Sequence, residues 1–522
     1  MVFLSIRNND SIEKYTPLIL VKSQTGLRTL SEEEVIGYIM FQAETNRKKP
    51  GFFKRKGEHI RLVSLLYYPF IVKSYRERMA LIIDPVKKSS IEFEYDSINK
   101  EVINKELESL KDLTGKEFLD QMVKLEKIVE SIVSGKEYID KRKYVIESIV
   151  NDAIMIKDLR IFIENTVNYE IPGGKIEYEK INIDEIIEKV QKILEETHSI
   201  LTYINDFIKR LDGYVDKWKE NIELVFSEKM KEIDVKIEET KLEVQKNINL
   251  LRKKLEEEIN VIKERHKPTI ETIEKRIDEI KSEIKTIEEE IEKAKQYGKD
   301  TSDLKKKLND LKKTLKDLEE ELREANKRME DEIESVQKRY KEMIESENEK
   351  IKRLYNEREK LRLELEALEK EANTRYDSIR KNLMKYRDKI MEIEKKILGI
   401  SVLLPTSGEG KYLVPLAVIM YGKNSETRYM TITPLMFEHT GRIASRIRIY
   451  SVESINKHLA WIINILEQPR IRAQLDENNL FRIVALERIE IGLSRLSDLG
   501  ILSRGEIRKI IKNLKDQIEM VV

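Results

Sequence analysis

TIETIEKRIDEIKSEIKTIEEEIEKAKQYGKDTSDLKKKLNDLKKTLKDLEEELREANKRM, residues 269–329, is the stretch whose reading decides the fold. Its first half places Ile270, Ile273, Ile277, Ile280, Ile284, Ile287 and Ile291 in alternating steps of three and four, so every isoleucine falls on one stripe of a helix. The second half repeats the rhythm in leucine, through Leu304, Leu308, Leu311, Leu315, Leu318 and Leu322 to Ala325 and Met329. Between them, Gln296–Ser302 carries the turn: Gly298 suits the left-handed position that ends one helix, and Thr301 or Ser302 suits the cap of the next. The expectation is an antiparallel coiled-coil hairpin.

Folding the chain at about residue 299 sets Ile291 opposite Leu308, Ile280 opposite Leu318 and Ile270 opposite Met329. Pro268 must disturb the ascending helix, because it lacks an N–H, and the partner stripe breaks rhythm there with two consecutive four-residue steps, Ala325 to Met329 to Ile333. The descending stripe then runs through Val336, Tyr340 and Met343 to Ile390, Ile393 and Ile397, which makes this arm roughly 140 Å long at 1.5 Å per residue. A parallel dimer of rods kinked at Gly298 is the competing arrangement. Matched stripes on both sides of one turn favour a chain that pairs with itself.

Proline and glycine draw the domain map, since between Lys175 and Leu398 only Pro268, Gly213 and Gly298 occur. The expected fold class is mainly α with a smaller α+β head. Residues 1–100 form an α/β part of that head, 101–180 a helical bundle, and 181–398 the hairpin with its apex near 297–302. Residues 399–450 return as a β part of the head, and 451–522 as a helical segment. Ser31–Glu34 reads as a capping box opening a helix through about Ala43, and Ser503–Glu506 as a second one, after Gly500. Ile60–Leu66, Pro69–Tyr75 and Met79–Ile83 read as β segments, whereas Glu101–Asn168 reads as helical. The ascending helix is expected to start near Asp184 and to break or bend at Gly213.

The two ends resemble each other. Tyr68-Pro-Phe-Ile-Val72 with Leu81-Ile-Ile-Asp-Pro85 parallels Val414-Pro-Leu-Ala-Val418 with Met430-Thr-Ile-Thr-Pro434. This is either an internal repeat, two hairpins brought into one composite head, or a coincidence of strand composition.

Chemistry is sparse. A formal charge of +1 argues against a protein that coats nucleic acid uniformly, and the absence of cysteine excludes disulfides, thiolate zinc sites and cysteine nucleophiles. No apolar run long enough for a signal peptide or a membrane span is present, so a cytoplasmic protein with no membrane partner is expected. Abundant Glu, Lys and Ile with little Gln suit a thermophile, although a long coiled coil alone is also rich in Lys and Glu. Thr406-Ser-Gly-Glu-Gly-Lys411 is similar to a phosphate-binding loop, but Pro405 replaces its first glycine, Tyr412 replaces the Mg²⁺-holding hydroxyl, and a strand follows. Asp84 ends an apolar strand before Pro85, as a turn aspartate does. No ATPase, nuclease or hydrolase motif, metal-ligand spacing or cofactor fingerprint is found. A head cleft of Asp84, Glu92, Glu94, Arg428 and His439 is the one remaining catalytic arrangement.

One cluster has a sharper reading. Arg47, Lys48, Lys49, Lys54, Arg55, Lys56 and Arg61 crowd a short stretch with Phe52 and Phe53, against the single acid Glu58. Cations on a loop neutralise phosphates and rings stack on bases, so this is a candidate nucleic-acid site. The structural alternative is a solvated loop with both phenylalanines tucked into the core. Arg442, Arg446 and Arg448 offer a basic edge from the other end.

In outline the chain resembles the SMC-type class of chromosome-organising and repair proteins, in which terminal lobes meet at a head and a coiled-coil hairpin projects from it. The resemblance covers architecture alone: the Walker A loop, the ABC signature and the cysteine hook are all missing. With those motifs absent, ATP-driven head engagement is not carried over, and the expected function is a non-enzymatic scaffold or clamp, SMC-like in outline, acting through a protein partner at the head or along the coil. A nucleic-acid-binding protein of DNA organisation or repair, contacting DNA or RNA through residues 47–61, is the alternative, and a homo-oligomer fits either.

Overall fold

The computed structural model describes residues 13–23, 26–49, 57–423, 425–440 and 446–521. In chain order the N-terminal part forms β1 (Glu13–Tyr15), β2 (Ile19–Ser23), β3 (Gly26–Thr29), α1 (Glu32–Thr45), β4 (His59–Arg76), β5 (Met79–Ile83) and β6 (Ser90–Ile98). Then come α2 (Lys100–Glu108), α3 (Gly115–Val133), β7 (Ile139–Glu147), α4 (Ala153–Glu164), β8 (Gly173–Lys175) and the two long helices, α5 (Ile183–Gln296) and α6 (Ser302–Gly399). The C-terminal part adds β9 (Ser401–Leu403), β10 (Gly410–Lys423), β11 (Glu426–Ile432), β12 (Leu435–Thr440) and β13 (Arg446–Ser451). It ends in α7 (Glu453–Leu459), a 3-10 turn, α8 (Pro469–Glu477), α9 (Leu480–Ile483), α10 (Leu486–Asp498) and α11 (Arg504–Val521). Contacts divide the chain into two compact units. The first holds Met1–Asn104, Lys127–Arg210 and Ile379–Val522, and the second Lys105–Glu126 and Leu211–Ser378.

In the first unit the N- and C-terminal segments share one mixed sheet, ordered β1-β10-β4-β5-β9, with β11 also on β10 and β8 also on β4. Its centre is the antiparallel pair β4·β10, in which Tyr68 faces Val414, the two residues that the sequence comparison equates. The correspondence then holds as far as the bulge after Ser74. Lys73 pairs with Leu81 as Ile419 pairs with Met430, and Leu65–Tyr67 take β8 in parallel as Lys411–Leu413 take β1. The two hairpins are therefore related by a two-fold axis through the Tyr68–Val414 pair.

This geometry explains why β4 is one strand of 18 residues rather than two segments broken before Pro69. The carbonyl of Leu413 accepts the N–H of Thr16, and that of Tyr67 accepts the N–H of Ile176, so both point away from the β4·β10 seam. Pro69 and Pro415, paired with Leu413 and Tyr67, thus occupy positions where the seam needs no N–H. Their outer edges fall in matching gaps, Pro69 between β8 and β5, Pro415 between β1 and β11.

One face of the sheet carries α1, α10 and α11 around a core that includes Val35, Ile39, Leu65, Ile419, Leu493 and Leu514. Ser31 caps α1 in the full capping box with Glu34. Where α1 crosses α10, the backbones touch: a Cβ on Gly37 would lie 2.8 Å from Gly492 C, and one on Gly492 only 1.9 Å from Glu33 O. A second sheet, β13-β12-β2-β3, again joins the two ends, through the parallel pairing of β12 with β2.

Residues 101–168 are not helical throughout. Ile139–Glu147 is a strand paired with β6, setting Lys141, Arg142 and Lys143 against Asp96, Tyr95 and Glu94, with a Lys143–Glu92 ion pair of 2.6 Å. Opposite charges across a two-stranded ribbon stabilise it, and a Lys/Glu-rich composition had masked that partner as helix. Nor is 101–180 one bundle, because its parts fall into both units.

In the second unit α5 and α6 pack as the expected antiparallel hairpin. Ile273, Ile277 and Leu318 form a buried cluster with Ile280, Leu315 and Leu322 against it, and Ile291 lies beside Leu308. Lys312–Glu288 and Arg339–Glu258 ion pairs cross the seam at 2.9 and 2.6 Å. Gly298 takes φ 71° at the apex, and Asp300, rather than Thr301 or Ser302, supplies the capping oxygen, accepting the N–H of Ser302. Neither Gly213 nor Pro268 interrupts α5. Both are exposed, so the carbonyl left without a donor by Pro268 faces the solvent side. Near the other end of this unit Trp218 stacks on Phe118 at 5.1 Å and donates to the carbonyl of Gly115.

Candidate nucleic-acid interface

The basic cluster begins where α1 ends. Glu44, in the last turn and wholly buried, accepts Arg47 Nε at 2.7 Å and Nη2 at 2.8 Å, with Lys49 Nζ at 3.2 Å and Asn513 Nδ2 at 2.8 Å. The Arg47 guanidinium also donates to the backbone carbonyl of Glu58. Glu58 closes the neck of the loop: its N–H donates to the Lys48 carbonyl, while its carboxylate accepts the Lys48 N–H at 2.9 Å. The same carboxylate takes two hydrogen bonds from Arg428 of β11, at 3.0 and 2.7 Å. These bonds, Arg428 first, outweigh the desolvation of the buried acid and pull its pKa down to about 2. Arg428 in turn lies 4.1 Å from the centre of the Tyr421 ring.

Arg61 projects from β4 over Gly422 of β10, where a Cβ would meet its Nε at 1.9 Å, and donates to His59 Nε2 at 3.2 Å. Burial, and then the Arg61 charge, push the His59 pKa below its usual value, consistent with a neutral ring accepting that bond. Lys48 and Lys49 are exposed beside the neck. Phe52, Phe53, Lys54, Arg55 and Lys56 lie outside the described residues, as does Arg442. Arg446 and Arg448 are placed by their backbone on β13, opposite Thr440 and Glu438.

The structure thus gathers Arg47, Lys48, Lys49 and Arg428 around two acids. Glu44 was the acid to find from sequence, because it stands one helical turn before Arg47. Arg428 joins from a strand 370 residues later in the chain than Glu58, and no sequence signal marks that approach.

The other candidates are held apart by different partners. Asp84 is wholly buried at the end of β5, where its carboxylate accepts the Tyr68 hydroxyl at 2.8 Å and the N–H groups of Val86 and Lys87 at 3.0 and 2.9 Å. His458 Nε2 of α7 stands 2.7 Å from its second oxygen. Burial, and next the Asp84 charge, hold the Tyr68 phenol well above its usual pKa. Asp84 is the turn aspartate that the sequence suggests, with a histidine partner that it does not. Glu92 belongs to the β6·β7 ribbon and Arg428 to Glu58, while the His439 side chain lies outside the described residues. The loop similar to a phosphate-binding loop wraps a cation instead: Lys14 Nζ donates to the carbonyls of Ser407 and Glu409, the latter at 2.7 Å. Inward carbonyls are the opposite polarity to the N–H groups that cradle phosphate.

Comparison with known proteins finds no matching family model, no matching curated protein and no matching solved structure. No helix among the described residues is long and apolar enough to cross a membrane.

Proposed function

We propose that this protein is a non-enzymatic coiled-coil scaffold or clamp, SMC-like in outline, that acts through protein partners. The observation that carries this reading is the antiparallel packing of a 114-residue and a 98-residue helix, placed in the chain between two segments that complete one sheet. Such a hairpin offers long, regular, charged faces and little concave surface. The polar groups buried in the head support the same reading, since Asp84, Glu44 and Glu58 are each occupied by donors of the fold itself.

Exposed Lys48 and Lys49 beside the loop neck favour nucleic-acid binding through residues 47–61 as the second reading. The two separate in a salt series with duplex and single-stranded oligonucleotides from about 50 to about 200 mM, read by fluorescence anisotropy. The scaffold predicts little binding at any ionic strength, together with a stoichiometric protein partner in crosslinking and mass spectrometry of native material. Affinity that falls steeply with salt, and is lost when Lys54, Arg55 and Lys56 are neutralised together in a still-folded protein, would replace it with the second reading.

A further inference from the structure

Within the second unit α5 carries two apolar stripes, and α6 covers one. Ile233, Ile237, Val244, Ile248 and Ile262 are buried in the hairpin. Leu224, Val225, Val235, Leu242, Leu250 and Val261 are instead 46–67% exposed. At 100° per residue those six fall within about 100° of one another, on the side of the helix away from the seam.

Four of these six residues are placed symmetrically along the helix, whereas Val225 mirrors Asn260 and Leu242 mirrors Glu243. Counting outward from the Leu242–Glu243 peptide, Val235 and Leu250 are equidistant, and so are Leu224 and Val261. The charges on the same face follow the rule with opposite sign: Glu239 mirrors Lys246, and Glu232 mirrors Lys253. All four are exposed, and among the described residues none has an ion pair within the chain, although nearby Glu238, Asp234 and Glu258 are taken by Lys241, Arg358 and Arg339. Glu228 mirrors Glu257, a like-charged position, with Lys253 of the opposing helix one turn away to screen it.

We infer that the outer face of α5, from Leu224 to Val261, pairs with the same face of a second copy of this chain, antiparallel about a two-fold axis at Leu242–Glu243. Antiparallel pairing brings Leu224 onto the partner's Val261 and Val235 onto its Leu250. Glu232 and Glu239 of each copy then meet Lys253 and Lys246 of the other, so each ion pair forms twice per dimer. Parallel pairing would instead stack Glu232 on Glu232 and Lys253 on Lys253, which like-charge repulsion disfavours.

The absence of native cysteine makes the test direct. In the full-length protein, Leu242→Cys, next to the axis, should give a disulfide-linked dimer under mild oxidation. Val235→Cys alone should not, since its own copy would lie about 22 Å away along the helix, whereas a mixture of Val235→Cys and Leu250→Cys chains should crosslink to each other. Sedimentation velocity supplies the second arm. Reversing Glu232 and Glu239 to lysine should weaken the dimer at least tenfold, and adding Lys246→Glu and Lys253→Glu should restore it. A monomer throughout the concentration series, self-crosslinking at position 235 as efficient as at 242, or failure of the double reversal to restore the dimer would each overturn the inference.

Discussion

The seam between α5 and α6 and the seam between β4 and β10 both join distant parts of one chain, but by different means. The helical seam is made of side chains. Ile273, Ile277 and Leu318 interlock on helices whose backbone hydrogen bonds are satisfied internally, so each turn contributes separately. The head seam is made largely of backbone: thirteen register positions link His59–Val72 to Gly410–Gly422, and the α1–α10 crossing closes at Gly37 and Gly492, where no side chain fits between. A side-chain seam tolerates local damage. A backbone seam fails as a unit, because neither half satisfies its hydrogen bonds without the other.

The sharpest test is Gly492→Ala. Its Cβ would have to displace the Glu33 carbonyl, an overpacking that should cost about 3 kcal/mol and lower the melting temperature of the head. Hydrogen exchange should rise together in α1, β4 and β10. Combining it with Gly37→Ala should cost less than the two single effects added, since both relieve one contact. Faster exchange confined to α10 would break the contrast between the seams.

Ile277→Ala should cost about 2 kcal/mol for a large-to-small change at a buried site. Here exchange should quicken only within the neighbouring turns of α5 and α6. Simultaneous loss of protection in β4 would show that the two units unfold as one, contrary to the picture of independent turns.

The smallest effect concerns Glu58. Its pKa is depressed in the folded protein, to about 2, so the stability that it contributes is complete above the unfolded value of 4.5 and is lost as pH falls from there toward about 2. Between about pH 6 and about pH 3 the melting temperature of wild type should therefore drop more steeply than that of Glu58→Gln, which has no proton to take up at this site. Parallel curves would mean that the loop neck is not held by the Arg428–Glu58 bond.

Much of the architecture was legible because its signals are local. The stripes on either side of Gly298 express a 3.6-residue period that the helix itself imposes, and the capping boxes at Ser31 and Ser503 span four residues each. The hairpin resemblance between Tyr68–Pro85 and Val414–Pro434 was visible too, and the register of the sheet respects it. Strand β7 was not legible, because its charges acquire their meaning only opposite β6. In the basic cluster the residue types were readable but their engagement was not. Arg47 and Lys49 both turn to Glu44, so the charge count along the loop overstated what is free to meet a phosphate, while Arg428 arrives from β11 to hold the one acid of the loop, Glu58.

By itself, then, the sequence determined the long hairpin, its apex and the capping boxes at Ser31 and Ser503, whose signals all lie within a few turns of chain. The tertiary structure alone decided that the two ends share a sheet with a two-fold axis at Tyr68–Val414. It decided likewise that α1 and α10 cross at a pair of glycines, and that Asp84 is met by His458. Each of these joins residues more than 300 positions apart. Hydrogen bonds and close backbone contacts of that span leave no period in the chain, since their partners become neighbours only once the backbone has folded.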